Sequence, residues 1–537
     1  MVMAPQMSSC SHKPALCATA LCILVANTNS LSIGLPALSE DAHVIDSDFC
    51  GLAFEQASFE EYAMDVEGNP NEFSINLISS ITSRTGGKPI IRLGGTSADY
   101  GRYEPGQSAP ALPKAEQNNY QNIGNTTIGP AYWELAHNFP DAQYIIQVPL
   151  ANTNTSEAIA WTQSAVDIIG WDKIQAIEIG NEPDLFNDIF TGVDGIALQP
   201  SAYLGTLNNE TYVGNYTKFA DAIAEAVKFP DYPILQAFDI GTHFGPAVAE
   251  EAYVLDVETC FGLGIDPYDR IKTVAHHYYQ NIAGDASTLA SGLMNMTITH
   301  GHADYLKRRI DWLKANKPNI PFILSEVGNS LKPTNSYQYQ ARLGSALWQV
   351  DFYLYAMSIG VARINYQQIM HAGYDMWLPV ASAGVEAQVF ANFYSQPFVA
   401  DFIGSSGATT TQRLSITGGE TSPNLAAYGA FENEVLKRIA IANLQYWNQT
   451  SSGTPRPSTS IDLYVPDGVT EVSVARLTSP IGAGAGADTI TYAGSQWTYE
   501  SLGNEVEGVR NDSLIIEVQG GIVTVSVSDS EALLLSF

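Results

Sequence analysis

Cations are scarce in this chain. Its 537 residues carry 25 Lys and Arg against 56 Asp and Glu, a formal net charge of −31. That balance excludes nucleic acid, anionic membrane surfaces and long polyanions as natural partners, because like charge lowers both encounter rate and affinity. Cysteine is nearly absent as well: five residues, three of them (Cys10, Cys17, Cys22) within the first thirty. Cys50 and Cys260 leave two readings open, one disulfide or two buried thiols. Long apolar runs are also missing. The stretch Ala15–Ala26 is too short to span a bilayer. With His12 and Lys13 before it and the small residues Thr28 and Ser30 after it, it reads as a signal peptide over residues 1–30. Seven sequons, at Asn125, Asn154, Asn209, Asn215, Asn295, Asn448 and Asn511, fit a secreted glycoprotein carrying N-glycans.

With 45% hydrophobic and 15% charged residues, the chain has ample material for a large core and more than one domain. Eight near-continuous apolar runs read as strands: Asp46–Glu55, Pro89–Gly95, Gln143–Leu150, Ile174–Glu182, Pro233–Ile240, Ile271–Tyr279, Pro321–Glu326 and Ala362–Gln368. They lack clean alternation, as expected of parallel strands buried on both faces. Helical spacing separates most of them, in Phe73–Arg84, Glu157–Ile169, Tyr216–Val227, Asp304–Asn316 and Tyr339–Ser358, and a last helix is expected over Val385–Phe402. Eight such alternations predict an α/β fold, a (β/α)8 TIM barrel over residues 46–405. Beyond it, short β-rich runs at Gln412–Ile416, Ile439–Tyr446, Ser460–Val465, Thr470–Leu477, Ser513–Val518, Ile522–Val527 and Ala532–Phe537, separated by Gly, Ser, Pro and Asn, predict a β-sandwich domain over 406–537. Residues 31–45 are expected to lend it a strand. The run Gly482–Ala487 looks like a phosphate loop, but no helix follows it, so a flexible turn is expected.

Glu182 ends the fourth strand within Gly180-Asn181-Glu182-Pro183, and Glu326 ends the seventh. Barrel strands present their C-terminal ends to the active site. Two carboxylates delivered there are the pair that glycoside hydrolysis requires, one as proton donor and the other as nucleophile or base. A carboxyl at an apolar strand end has a raised pKa and suits the acid role, whereas its partner must stay ionised. Glu182 is therefore expected to be the acid/base and Glu326 the nucleophile.

Four segments carry a family resemblance: Gly51-Leu52-Ala53-Phe54-Glu55, Ile91-Arg92-Leu93-Gly94-Gly95-Thr96-Ser97-Ala98-Asp99, Gly180 to Phe186, and His276-His277-Tyr278-Tyr279. With them the chain resembles the retaining glycoside hydrolases of clan A, and more narrowly family 79, the β-glucuronidase and heparanase family. The resemblance spans the barrel and the β-rich tail. It implies that Glu55, Thr96 and Asn181 contact the sugar and that Tyr374 hydrogen-bonds the substrate's carboxylate. Neighbours in a strand point to opposite sides, and the resemblance places His276 and Tyr278, not His277 and Tyr279, in the pocket. Adjacent histidines so divided make a poor metal site; no metal and no cofactor are expected.

One departure stands out. Where relatives carry a tyrosine followed by glycines after the nucleophile, this chain has Leu331 within Val327–Lys332. Recognition of the acid group then falls to Tyr374, to backbone N–H groups or to Lys332. The resemblance implies a secreted, retaining exo-β-glucuronidase that removes terminal glucuronic acid, with or without a 4-O-methyl group, from glycans or small glucuronides. A β-glucosidase-like or β-galactosidase-like relative acting on a neutral sugar is the alternative. A heparanase-like endo-acting enzyme fits less well, since heparan sulfate calls for basic clusters beside the cleft.

Overall fold

The computed structural model describes residues 30–39, 42–99, 101–112, 126–151, 153–186, 205–241, 254–281, 289–330, 339, 341–370, 374–382 and 384–537. Eight parallel strands close on themselves: β1 (Cys50–Glu55), β2 (Ile90–Gly94), β3 (Gln143–Val148), β4 (Ile174–Ile179), β5 (Leu235–Ile240), β6 (Ile271–Asn281), β7 (Phe322–Ser330) and β8 (Ile364–Gln368). Helices Glu72–Thr85, Thr155–Ile169, Asn209–Val227, Met296–Asn316, Leu343–Ser358 and Ser395–Ile403 alternate with them. The strands are buried on both faces, which is why they read as continuous apolar runs.

The faces nonetheless differ in kind. Ile91, Leu93, Tyr144, Ile146 and Ile177 face the helices in the main core, while Ile90, Ile145 and Ala176 form a small separate cluster inside the barrel. Two residues further along the same strands come Arg92, Gln147 and Glu178, all fully buried. On these three strands an apolar layer thus lies below a polar and charged one, toward the strands' C-terminal ends.

The C-terminal part packs two sheets around a second core. One sheet orders His43–Val44, Thr409–Leu414, Leu425–Glu432, Val435–Asn443, Glu531–Ser536, Glu471–Thr478 and Thr491–Tyr492 side by side, with Ser513–Glu517 paired to Glu471–Thr478. The other joins Leu31–Ile33, parallel, to Ser458–Tyr464 and its antiparallel partner Ile522–Ser528. Ile439, Ile441, Phe431 and Leu463 fill the space between the sheets. On the opposite face of the large sheet, Ala426, Ala430, Ala440 and Ala442 join the barrel's core. Their small side chains let the sheet settle on helix Leu343–Ser358, which is buried along all but its last residue. Leu425–Glu432 has no counterpart among the strands expected from sequence. Cys50 and Cys260 are both buried free thiols. No helix among the described residues is long and apolar enough to cross a membrane.

Candidate active site

Glu182 lies just past the end of β4. Gly180 turns the chain with a φ of 83°, and a Cβ there would stand 2.6 Å from that of Leu150. Glu182 itself holds a φ of 46°, uncommon for a residue with a side chain. Two backbone hydrogen bonds keep it there. Its N–H donates to the Asp239 carbonyl at 2.8 Å, and its carbonyl accepts from Leu185 N–H at 2.8 Å. Glu326 sits within β7, opposite a register shift where His276 pairs with Leu324 but His277 with Glu326. The extra residue is Ser325, whose hydroxyl donates to Asp239 Oδ1 at 2.6 Å.

The two carboxylates meet. One oxygen of each, together with a ring nitrogen of His277, lies within 4.8 Å of the others. His277 Nδ1 is 3.0 Å from Glu182 Oε1. Tyr279 donates its hydroxyl to Glu326 Oε1 at 2.5 Å, and Arg92 Nη1 donates to Glu326 Oε2 at 2.8 Å. The three residues could by spacing hold a cation, yet both oxygens of Glu326 already accept from donors, and one of those donors is a guanidinium that would repel a metal.

Sequence reasoning passed over Arg92 as a member of the site. From the lumen it reaches Glu178 through Nε at 2.8 Å and Nη2 at 2.6 Å, Glu326 through Nη1, and Asn181 Oδ1 through Nη2 at 2.7 Å. Burial opposes its charge, but Glu178 and Glu326 outweigh that and hold its pKa well above the usual guanidinium value. Burial, reinforced by Glu178, raises Asp239 far out of the carboxylate range, and burial raises Asp99 likewise. In both, burial favours the neutral acid. Asp99 Oδ1 accepts the Asn181 N–H at 3.0 Å.

The other expected residues divide. Asn181 is 2% exposed and beside the pair. With its Oδ1 taken by Arg92, it has its amide N–H groups to offer a sugar hydroxyl. Glu55 is buried, accepting from Ala57 N–H, Ser97 N–H and the Ser97 hydroxyl; burial pushes its pKa up to about 7. Thr96 follows the glycine turn at the tip of β2 and is buried. Tyr374 packs edge-on against Tyr279, ring centroids 5.9 Å apart, one side chain removed from Glu326. Lys332 lies outside the described residues.

His276 and Tyr278 require correction. Both point away from the lumen: His276 meets Phe322 at 5.0 Å, and Tyr278 stacks on Phe352 of the surrounding helix at 4.5 Å. Thr273, two positions before Ala275, bonds Gln236 Oε1. That bond sets the inward face of β6, so alternation carries His277 and Tyr279 into the site. Burial brings His277 down to about 4, and Tyr279 is raised well above its ordinary value by burial and by Glu326. The first is therefore a neutral imidazole and the second a protonated donor.

Known proteins resemble the chain in both sequence and fold. Residues 427–534 match the glycosyl hydrolase family 79 C-terminal beta domain. A β-glucuronidase of Neurospora crassa is 28% identical over 515 residues, covering 90% of this chain and 89% of the relative. One of Aspergillus niger is 27% identical over 536 residues, 95% of this chain and 94% of the relative. Among solved structures, a 4-O-α-L-rhamnosyl-β-D-glucuronidase from Fusarium oxysporum shares the fold with a TM-score of 0.74 at 19% identity, covering 94% of this chain and all of its own. A GH51 arabinofuranosidase from Xanthomonas axonopodis pv. citri follows at 0.62 and 13% identity, over 94% of this chain and 99% of that one. The closed barrel, the sandwich that continues from it and these relatives together make the chain a glycoside hydrolase, similar to the β-glucuronidases of glycoside hydrolase family 79.

Proposed function

We propose that this chain is a secreted, retaining exo-β-glucuronidase, with Glu326 as nucleophile and Glu182 as acid/base. The observation that carries the reading is the approach of one oxygen of each carboxylate to within 4.8 Å of the other. Retaining enzymes hold the pair about 5–5.5 Å apart, whereas inverting ones need roughly 6.5–9.5 Å to admit a water. The names of the full-length relatives support the sugar.

In the first step a Glu326 oxygen attacks the anomeric carbon, the glycosidic C–O bond breaks, and the Glu182 proton passes to the leaving oxygen. His277, neutral beside Glu182, does not compete for that proton. In the second step Glu182, now a carboxylate, takes a proton from water, and the water oxygen displaces Glu326 from the anomeric carbon. Two inversions give net retention. Arg92 and Tyr279 receive the charge that returns to Glu326. Asn181 is proposed to donate to a ring hydroxyl, Glu55 and Thr96 to line the sugar's pocket, and Tyr374, with Lys332, to meet its carboxylate. Secretion and N-glycans rest on the N-terminal pattern and the sequons; Asn154 and Asn511 are exposed.

Hydrolysis of p-nitrophenyl β-glucuronide beside the glucoside and galactoside, with proton NMR of the first-formed anomer, tests this. Preference for the glucuronide and a β-anomer are expected. An α-anomer refutes the retaining pair, and preference for a neutral sugar refutes the uronate.

A further inference from the structure

A cavity of about 460 Å³ opens where the sandwich meets the barrel. Arg342 stands at the start of the helix that follows β7, and Gln388 and Phe390 lead into the helix that follows β8. Helices of a (β/α)8 barrel begin near the C-terminal ends of the preceding strands, so this cavity lies on the same side as Glu182 and Glu326. Its outer wall is the glycine–alanine run. Ala485 and Ala483 accept the N–H groups of Leu343 and Gly344, each at 2.9 Å, and so cap that helix. Gly486 has ordinary extended backbone, with φ −81° and ψ 168°. A Cβ there would stand 2.9 Å from Asp488 Oδ1 and 3.3 Å from Arg342 Nη1. Glycine at this position keeps space, not a special turn.

Arg342 is the odd member. Its side chain is half-buried, and its guanidinium makes no hydrogen bond or ion pair among the described residues. Arg84, Arg438 and Arg510, similarly placed, each hold a carboxylate. Around Arg342 the cavity presents Asp488, Glu500 and the Gln388 amide, with Phe390 and the 43% exposed Tyr499 as aromatic surface. Fork donors, carboxylate acceptors and aromatic rings in one cavity are the parts that bind vicinal hydroxyls and the C–H face of a pyranose. Two acids against one cation make a second uronate an unsuitable ligand.

We propose that this cavity is a second carbohydrate site, taking a neutral glycosyl unit of the glycan whose terminal uronate enters the barrel. The link to the substrate rests on the glucuronidase reading; binding of a neutral glycan does not. Calorimetric titration of the Glu326→Gln protein with neutral galacto-, xylo- and gluco-tetrasaccharides tests the binding. At least one should bind saturably; Arg342→Ala should weaken it about tenfold, the loss of one charge-assisted hydrogen bond, and Gly486→Leu should weaken it by filling the space beside Arg342. No saturable binding, or binding that neither variant weakens, overturns the site. In kinetics, Arg342→Ala in the otherwise native chain should raise KM about tenfold for a glucuronosyl tetrasaccharide and leave p-nitrophenyl β-glucuronide unaffected. An equal rise on both overturns a distal site. A native protein inactive on both glucuronides counts against the glucuronidase reading, while the titration still decides the cavity. The aryl substrate also reports folding of either variant, and Arg342→Ala alone carries the test if Gly486→Leu does not fold.

Discussion

Arg92→Lys is the sharpest probe of how the barrel lumen controls Glu326. A guanidinium spans the lumen: it holds Glu178 on one side at 2.8 and 2.6 Å, and Glu326 and Asn181 on the other at 2.8 and 2.7 Å. An ammonium keeps the charge but is a point donor without the fork, and it cannot serve both sides. Glu178 is the nearer, doubly bonded partner, so lysine should stay with it and Glu326 should lose its donor. A charge-assisted hydrogen bond contributes about 1.5–3 kcal/mol, or roughly tenfold to a hundredfold in rate. The loss should fall on kcat, because Arg92 touches Glu326 and not the substrate. It should fall hardest on the second step, in which Glu326 leaves as a carboxylate and regains full charge. The assay is p-nitrophenol release from the aryl glucuronide in a stopped-flow instrument. A burst followed by a steady rate about tenfold to a hundredfold below the native one is expected, with KM no higher than native. A raised KM with native kcat would show that Arg92 binds substrate, and native values for both would show that the bond to Glu326 is idle.

Glu326→Gln should abolish turnover of every substrate, while Glu182→Gln should spare the first step for aryl leaving groups and cost glycan substrates about 10²–10⁴-fold; equal loss on both classes removes the acid assignment. Tyr374→Phe should lower glucuronide kcat/KM about tenfold to a hundredfold and leave glucoside hydrolysis unchanged, whereas a parallel loss on both sugars makes Tyr374 a packing residue. Asp239→Asn, which preserves the acceptor for Ser325, should retain kcat, and Asp239→Ala should lose it at constant KM; failure of the asparagine variant in a folded protein shows that a charged Asp239 is required. Glu55, pushed up to about 7 by burial, is protonated when folded but ionised when unfolded above its ordinary 4.5. Its contribution to stability is full below about 4.5 and lost as pH rises through about 7. Glu55→Gln should therefore gain in Tm relative to native as pH rises from about 5 to about 8, and a gap that is flat with pH refutes the burial of that proton.

The parts of the fold legible in sequence are those where one physical demand dominates. The barrel strands are buried on both faces, so most left a near-continuous apolar run. Leu425–Glu432 met two demands at once. Toward the second sheet it carries Leu425 and Phe431, but toward helix Leu343–Ser358 it carries Ala426 and Ala430, small enough for close approach. Alanine and glycine are poor markers of strands, and the element was lost in them. The face of β6 was lost for another reason. Every residue from Thr273 to Gln280 is buried, so burial leaves no alternation to read, and only the polar Thr273 marks the inward side.

The charged layer of the lumen hid because its members are far apart in sequence: 86 residues separate Arg92 from Glu178, and 234 separate it from Glu326. Yet a signal was present. A strand buried on both faces has no solvent for a charge, so Arg92 inside Ile90–Gly94 and Glu178 inside Ile174–Ile179 each had to find a partner within the barrel. Strands β2 and β4 flank β3, and residues of alternate strands fill one layer of a barrel core. The two opposite charges were therefore each other's nearest candidates. Asn181 is three residues beyond Glu178, so the same pairing brings Arg92 to the tip of β4 beside Glu182. A guanidinium fixed there by one carboxylate, with a donor to spare, is placed to hold whichever glutamate must stay ionised. Glu326 accepts that donor, and Glu182 shares a hydrogen bond with neutral His277 instead. The division of roles between the two glutamates thus follows from which of them the Arg92 guanidinium reaches.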